Sequence, residues 1–218
     1  MTDIPRLGIP TASNFHCIIS PTGRAVDSRE RKLYMYKLVA ERILETPFEL
    51  FKGNEHTEWG IQHEDEAARA LSAYLREELV PAEFTVTKDR KWGCTPDRLV
   101  LGKAEAVEIK CPSTPWTHIA NMVDGPGEKY KPQVQGQLLI GEFDAVHFWS
   151  WHPKFPAVYI LTARDRNYIK TMRDLLVRFS DELEATEAWV RERKDVTEIL
   201  RELDEDEFIS EWRVPRRG

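Results

Sequence analysis

Two acidic residues and one lysine near the middle of the sequence have the types and spacing of a hydrolytic metal site. Asp97 ends the run Thr95-Pro96-Asp97, and Glu108-Ile109-Lys110 begins eleven residues after it. Alternate side chains of a strand point to opposite faces, so a strand here places Glu108 and Lys110 on one face and Ile109 on the other. If a turn folds the segment of Asp97 back against that strand, two carboxylates and one ammonium converge on one pocket.

Such a pocket suits a hard divalent cation. Mg²⁺ takes oxygen ligands and keeps several waters, so Asp97, Glu108 and the backbone carbonyl of Ile109 make a fitting open site, with Mn²⁺ as the alternative ion. Lys110 can orient or deprotonate a water nucleophile, or stabilise charge that builds on a phosphate. The same residues also fit an ordinary half-exposed strand with a surface ion pair, because short matches to this pattern are common by chance.

Length and composition fit one domain that folds without disulfides. We expect a single domain over residues 1–218, with 41% hydrophobic residues to supply its core. The three cysteines include no Cys-x-x-Cys pair and the six histidines are scattered, so neither residue type predicts a metal site. We find neither a membrane-spanning apolar run nor a signal-peptide pattern, and expect a cytoplasmic protein.

The net charge of −6 is unexpected for a partner of DNA, since affinity for the phosphate backbone depends on Lys and Arg. The acidity is local, however. Residues 181–211 contain 13 acidic and four basic side chains, which is −9 and leaves +3 for the rest of the chain. A protein with a divalent-metal site must also collect carboxylates, which the bound cation neutralises.

The hydrophobic periodicity predicts helices at both ends of the chain and strands between them. A short helix follows residues 11–13, and longer helices are expected over 29–45, 59–79, 131–140 and 164–193. Strands are expected over 83–87, 98–101, 104–111, 146–151 and 157–161. Turns at 92–93 and 102–103 would join the middle strands into a β-meander. This order favours an α/β (α+β) fold in which helices flank a mixed sheet.

Five segments resemble, in order, the motifs of the phage lambda-type (alkaline) exonucleases, which are PD-(D/E)xK nucleases with a restriction-endonuclease-like mixed central sheet. They are Arg6-Leu7-Gly8-Ile9-Pro10-Thr11-Ala12-Ser13, Trp59-Gly60-Ile61-Gln62-His63-Glu64, Thr95-Pro96-Asp97-Arg98-Leu99-Val100, Glu108-Ile109-Lys110-Cys111-Pro112 and Tyr130-Lys131-Pro132-Gln133-Val134-Gln135. Together they cover about residues 6–150. Five ordered motifs are far more specific than any one of them.

The resemblance implies roles for individual residues. Asp97 and Glu108 would be metal ligands, with Lys110 as the catalytic lysine, and Glu64 would be a further acid at the metal. Gln133 would help to place the water or the scissile phosphate. The substrate-binding residues implied by the resemblance are Arg6 and Ser13 at the 5′-terminal phosphate, Tyr130 at the catalytic pocket, and Arg24 as a further DNA contact.

The resemblance also implies an activity and an assembly. The expected enzyme is a Mg²⁺-dependent 5′→3′ exonuclease that acts on double-stranded DNA with a 5′-phosphorylated end and leaves 3′ overhangs for recombination by strand annealing. The family forms homotrimeric rings and works beside a single-strand annealing protein. Two alternatives remain open: an endonuclease of the same fold, restriction-like or structure-specific, and a DNA-binding domain without catalytic activity.

Overall fold

The structure, a computed structural model, describes residues 6–47 and 55–193. A 3₁₀ segment, Ala12–Cys17, precedes the first long helix. The α-helices are α1 (Arg29–Leu44), α2 (Glu55–Leu75), α3 (Pro115–Val123), α4 (Lys131–Ile140) and α5 (Arg166–Arg191). The strands are β1 (Leu79–Pro81), β2 (Thr85–Val86), β3 (Gly93–Cys94), β4 (Arg98–Val100), β5 (Glu105–Lys110), β6 (Ala145–His152) and β7 (Phe155–Ala163).

The central sheet has five strands in the order β1-β4-β5-β6-β7. Strands β5 and β6 are parallel, and the other neighbouring pairs are antiparallel. A parallel pair needs a crossover connection, and here the chain from β5 to β6 passes through α3 and α4. The predicted mixed sheet flanked by helices is therefore confirmed.

One half of the predicted β-meander is confirmed: the turn at 102–103 joins β4 and β5 as antiparallel neighbours. The other half is wrong, because β2 pairs with β3 in a separate two-stranded sheet, where Thr85 faces Cys94, and not with β4. The reversal that joins β2 and β3 lies between Thr87 and Trp92, whose backbone groups are hydrogen-bonded. The sequence alternation indicated strands correctly but carried no information on which strands would pair.

Helices cover both faces of the sheet. Side chains from α1, α4, α5 and the 3₁₀ segment form the larger apolar cluster on one face, which includes Ala106 of β5 and Phe148 of β6. On the other face, Ala67, Ala68 and Leu71 of α2 pack against a second cluster from β4, β5 and β6. Among the described residues, no helix is long and apolar enough to cross a bilayer.

The predicted helix over 59–79 has different limits. It begins at Glu55 and ends at Leu75, where Arg76 takes a left-handed conformation with φ of 58°. The helical spacing of Ile61 with Ala67, Ala68, Leu71 and Leu75 predicts one buried face, but Ile61 is 70% exposed. The last residues of the predicted helix instead enter β1, where Leu79 pairs with Val100. Tertiary pairing at the sheet edge overrides local helical propensity there.

Candidate active site

Asp97 lies immediately before β4, against the middle of β5. Its backbone N–H donates to the carbonyl of Val107 at 3.0 Å, and its Oδ2 accepts from the N–H of Ile109 at 2.5 Å. The antiparallel pairing of Arg98 with Val107 sets this register. The structure therefore folds Asp97 back onto the strand of Glu108, as the sequence predicted.

Glu108 is buried in β5, with three donors on its carboxylate. Oε1 accepts from the amide of Gln133 at 2.6 Å and lies 2.5 Å from Nζ of Lys110. Oε2 accepts from the amide of Gln137 at 2.5 Å. An unpaired buried carboxylate would be very costly, so these donors compensate the charge and fix the side chain.

Burial and like charge act together on the acidic groups of this site. Burial and then the charge of Glu108 raise the pKa of Asp97 to about 7. Burial lowers the pKa of Lys110, but the charges of Glu108 and Asp97 raise it more, so this pKa is above its ordinary value. Lys110 is therefore an ammonium near neutral pH, which suits stabilisation of anionic charge better than proton abstraction.

The donor set fits a hard cation. Two carboxylates that repel each other in a partly buried pocket gain from a divalent ion, which would neutralise them. Asp97 and Glu108 would hold that ion, and a contribution from the carbonyl of Ile109 stays a prediction. Oε1 of the buried Gln137 amide has no hydrogen-bond partner among the described groups, so the pocket has further acceptor capacity.

Glu64 is held beside this pocket by an arginine. Nη1 of Arg98 donates to Glu64 at 2.7 Å and to the backbone carbonyl of Asp97 at 2.6 Å, while Nη2 donates to Asp65 at 2.6 Å. Within the described part of the chain, Glu64, Asp97 and Glu108 do not bring their oxygens within 4.8 Å of one another. Arg98 therefore positions Glu64 beside the pocket through one carboxylate oxygen, Oε1.

Sequence reasoning missed two residues of this site, Gln137 and Arg98. Gln133 and Gln137 are four residues apart in α4, so both amides project from one helix face onto Glu108. The run Gln133-Val134-Gln135-Gly136-Gln137 contained that signal. Arg98 directly follows Asp97, but its partners come from α2, which only the tertiary fold brings close.

Tyr130 stands between two clefts that flank the carboxylates. One cleft, of about 310 Å³, runs from Lys110 along the segment after β5 to Tyr130. The other, of about 410 Å³, is lined by Ser13, His16, Pro21, Lys129, Tyr130 and Gln133. The ring of Tyr130 lies 5.5 Å from Nζ of Lys110 and 4.7 Å from Nζ of Lys129. Lys110 in the first cleft and Gln133 in the second both contact Glu108, so the two clefts lie against the partners of this carboxylate.

The structure places the predicted substrate-binding residues apart from one another. Ser13 lines the second cleft, as described. Arg6 is exposed, with its guanidinium 5.9 Å from the ring centre of Phe84. Arg24 is exposed in a turn, where its backbone N–H donates to Oγ of Ser20. Of the four predicted residues, Ser13 and Tyr130 therefore line a cleft beside Lys110 or Gln133, and Arg6 and Arg24 are not in the lining of either cleft.

Comparisons with known proteins identify the family. The sequence model of the YqaJ-like viral recombinase domain matches residues 4–144. The chain belongs to this family. Its segments with Asp97, Glu108 and Lys110 all lie inside the matched region. A comparison with curated protein sequences gave no match.

Solved structures share the fold. The alkaline exonuclease LHK-Exo from Laribacter hongkongensis is 26% identical, with a TM-score of 0.75 over 85% of this chain and 93% of that chain. The same protein in complex with dAMP gives a TM-score of 0.76 at the same identity and coverage. A phage-related exonuclease from Haemophilus somnus 129PT shares the fold at 15% identity, with a TM-score of 0.65 over 82% of this chain and 96% of that chain.

The family and the fold agree with the resemblance seen in the sequence. The matching family is a viral recombinase domain, and LHK-Exo is an alkaline exonuclease. The mixed sheet is that of the PD-(D/E)xK nucleases. Together these similarities support a DNA exonuclease.

Proposed function

We propose that this protein is a divalent-metal-dependent 5′→3′ exonuclease of double-stranded DNA that leaves 3′ single-stranded overhangs for recombination by strand annealing. Mg²⁺ is the proposed ion, and Mn²⁺ could replace it. The convergence of Asp97, Glu108 and Lys110 beside two clefts rimmed by lysines carries the proposal. The family and the similarity to LHK-Exo support it.

Each residue has a task in phosphodiester hydrolysis. The cation, when bound, supplies Lewis-acid stabilisation of charge on the phosphate. Asp97 and Glu108 would hold it, and Gln133 and Gln137 fix the orientation of Glu108 by donating to its two oxygens. The ammonium of Lys110 faces the same pocket and stabilises negative charge that develops during attack.

The surface around the carboxylates suits an anionic polymer. Lys110 and Lys129 both approach Tyr130, which presents a ring between the two clefts. Cationic side chains along a cleft attract the DNA backbone, and an aromatic ring offers a stacking surface for an unpaired base. We propose that a 5′-phosphorylated terminus enters the cleft of Ser13 and Lys129, with Arg6 as a further contact.

We propose an assembly as well. One nuclease domain spanning the chain would form a homotrimer, and the product strand would pass to a single-strand annealing protein. A trimer has three times the 25.4 kDa mass of one chain. Light scattering at micromolar concentration measures this mass, and a monomer throughout would remove the trimer without affecting the nuclease.

One digest tests the activity. Linear duplexes labelled separately at each 5′ and 3′ terminus are incubated with Mg²⁺, and with EDTA as the control. We expect early release of label from 5′ ends only, and no release with EDTA. Lys110→Met should abolish release, because it keeps the stem of the side chain and removes the ammonium.

A covalently closed plasmid distinguishes the alternatives. An exonuclease that depends on ends leaves this substrate intact. Rapid linearisation would identify an endonuclease of the same fold. DNA binding without hydrolysis of any substrate would indicate a domain that binds DNA but is not catalytic.

A further inference from the structure

His16, Cys17 and Glu30 form a cluster outside the pocket of Asp97 and Glu108. His16 and Cys17 end the 3₁₀ segment, and Glu30 lies in the first turn of α1. One ligand atom from each of the three lies within 4.8 Å of the other two. Of the groups of three His, Cys, Asp or Glu side chains that the described residues could form, this alone meets that distance.

We propose that His16, Cys17 and Glu30 bind a borderline-soft divalent ion of the Zn²⁺ class, with water as the fourth ligand. A thiolate, an imidazole and a carboxylate are ligands that Zn²⁺ takes at three-residue sites. Mg²⁺ does not use sulfur or imidazole in this way, so the site would be selective against the proposed catalytic ion.

The interatomic distances are close to those of a tetrahedral zinc site. Zn–S bonds of about 2.3 Å and Zn–N and Zn–O bonds of about 2.0–2.2 Å imply S···N near 3.6 Å and N···O near 3.4 Å at tetrahedral angles. Cys17 Sγ lies 3.5 Å from His16 Nε2, and Glu30 Oε1 lies 3.7 Å from the same nitrogen. The sulfur of Cys17 and the carboxylate of Glu30 lie within 4.8 Å of each other, so the exposed Glu30 side chain would close the rest of the gap when an ion binds.

The tautomer of His16 is also suitable. Its Nδ1 lies 3.0 Å from the backbone carbonyl of Ser13. A carbonyl only accepts, so Nδ1 carries the proton and Nε2 keeps its lone pair toward Cys17 and Glu30. Metal-bound histidines commonly donate their second ring nitrogen to a carbonyl in this manner.

The cluster combines one buried ligand with two ligands that solvent reaches. Cys17 is buried, whereas the side chains of His16 and Glu30 are 48% and 72% exposed, so an ion reaches the site from solvent. Binding would form a metal–sulfur bond at Cys17 as the thiol proton leaves to solvent.

Because of the position of His16, an ion at this site should affect DNA digestion. This expectation rests on the proposed function. His16 lines the same cleft as Ser13, Tyr130 and Gln133. An ion bound there fixes the His16 ring at the cleft wall, beside the proposed path of the DNA terminus, and so restricts that path. We expect Zn²⁺ to inhibit digestion without competing with Mg²⁺.

Co²⁺ titration of the full chain tests the site directly. Cobalt bound to a thiolate gives a near-ultraviolet charge-transfer band, so we expect a band that saturates at one equivalent and disappears when Zn²⁺ is added. Cys17→Ser should remove the band. His16→Gln and Glu30→Gln, at exposed positions where folding is not at risk, should weaken binding at least about tenfold.

The other two cysteines provide matched controls. Cys94→Ser and Cys111→Ser should keep the band. Absence of a band in the unmodified protein overturns the proposal, as does a band that depends on Cys111 instead of Cys17. Glu30→Gln should digest DNA normally yet escape inhibition by Zn²⁺. If DNA is not digested at all while the band appears, the proposed function fails and the metal site stands.

Discussion

The carboxylate of Asp97 accepts a hydrogen bond from the backbone N–H of Ile109, the residue between Glu108 and Lys110. This bond ties the end of one strand to the centre of another, so the two acidic groups are placed by sheet register and not by flexible loops. The same register forces two carboxylates together in a partly buried pocket. The site is therefore preorganised for a cation and electrostatically unfavourable without one.

Replacing Asp97 with Asn should abolish Mg²⁺-dependent hydrolysis while the fold is retained. The amide oxygen can still accept from Ile109, but the ligand charge is lost. Loss of an outer partner of a metal ligand typically costs about 10- to 100-fold, and loss of a direct ligand should exceed this. Release of nucleotides from linear duplex measures the effect, with the exposed Asp144→Asn as the matched control. Undiminished activity in Asp97→Asn would rule out the site.

The metal-free protein should become less stable as the pH rises toward neutrality. Folding raises the pKa of Asp97 from 3.8 to about 7, so the folded state binds more protons in that window. The free energy of unfolding therefore falls as the pH rises from 3.8 to about 7 and gains nothing from this group above it. Melting temperatures in EDTA across this range should decline less steeply for Asp97→Asn. If the melting temperatures of the two proteins declined in parallel, the pH dependence of stability would not come from Asp97.

Gln137→Met should lower kcat with little change in KM. The variant leaves Oε2 of buried Glu108 without its donor, and hydrogen bonds to charged groups contribute about 1.5–3 kcal/mol, or roughly 10- to 150-fold. Gln135→Met is the matched control on the same helix, because the Gln135 amide bonds only with Ala163 and Asp165 on the far side. The control should lower the melting temperature and leave the rate per folded molecule unchanged. If Gln135→Met lowered the rate as much as Gln137→Met, the loss of activity in Gln137→Met would come from lower stability.

The two ion pairs of Arg98, with Glu64 and with Asp65, should contribute differently to the rate of hydrolysis. Asp65 is 84% exposed, and surface ion pairs contribute about 0–1 kcal/mol, so Asp65→Ala should change the rate less than about fivefold. Arg98→Lys loses the fork that holds Glu64 and the carbonyl of Asp97 at once, and should lower the rate at least tenfold. Titration of Mg²⁺ against rate separates metal affinity from turnover. An Asp65 variant as impaired as the Arg98 variant would show that Glu64 is not the important partner.

Local sequence patterns predicted most of the elements that position the site. The helix limits of α1 and α4 and the strand β5 follow from periodicity and from turn residues, and alternation placed Glu108 and Lys110 on one face. Short edge strands such as β1, together with α3, were missed, since three residues at a sheet edge carry little pattern. The local pairing of β4 with β5 followed from the turn at 102–103, but the pairs β1–β4 and β5–β6 were missed because they depend on contacts far apart in the chain.

Some residues of the candidate site were likewise predicted from the sequence, and others were not. Asp97, Glu108 and Lys110 followed from spacing, and Gln133 and Glu64 from the resemblance. The hold of Arg98 on Glu64 could not be predicted, because it joins α2 to β4 across 34 residues. The cluster of His16, Cys17 and Glu30 was missed because its third member comes from α1, so no ligand spacing exists in the sequence.

A 5′-terminal phosphate should stimulate digestion, with Ser13 and Arg6 as its proposed partners. A terminal monoester carries up to two charges and exposes three oxygens, whereas an internal diester carries one charge between two sugars. Ser13 offers a hydroxyl in the cleft that Lys129 also lines, and Arg6 offers a forked donor from an exposed position. Charged hydrogen bonds contribute about 1.5–3 kcal/mol, so Arg6→Ala should cost on the order of 10- to 100-fold at limiting DNA.

Duplexes with a phosphate or a hydroxyl at the 5′ end measure this effect as a ratio of rates. Ser13→Ala and Arg6→Ala should reduce that ratio, because each removes a donor that only the phosphorylated end uses fully. Arg24→Ala is the comparison, since a general DNA contact in that exposed turn should slow both duplexes by similar small factors. Equal rates on the two ends with the unmodified protein would reject recognition of the 5′-phosphate altogether.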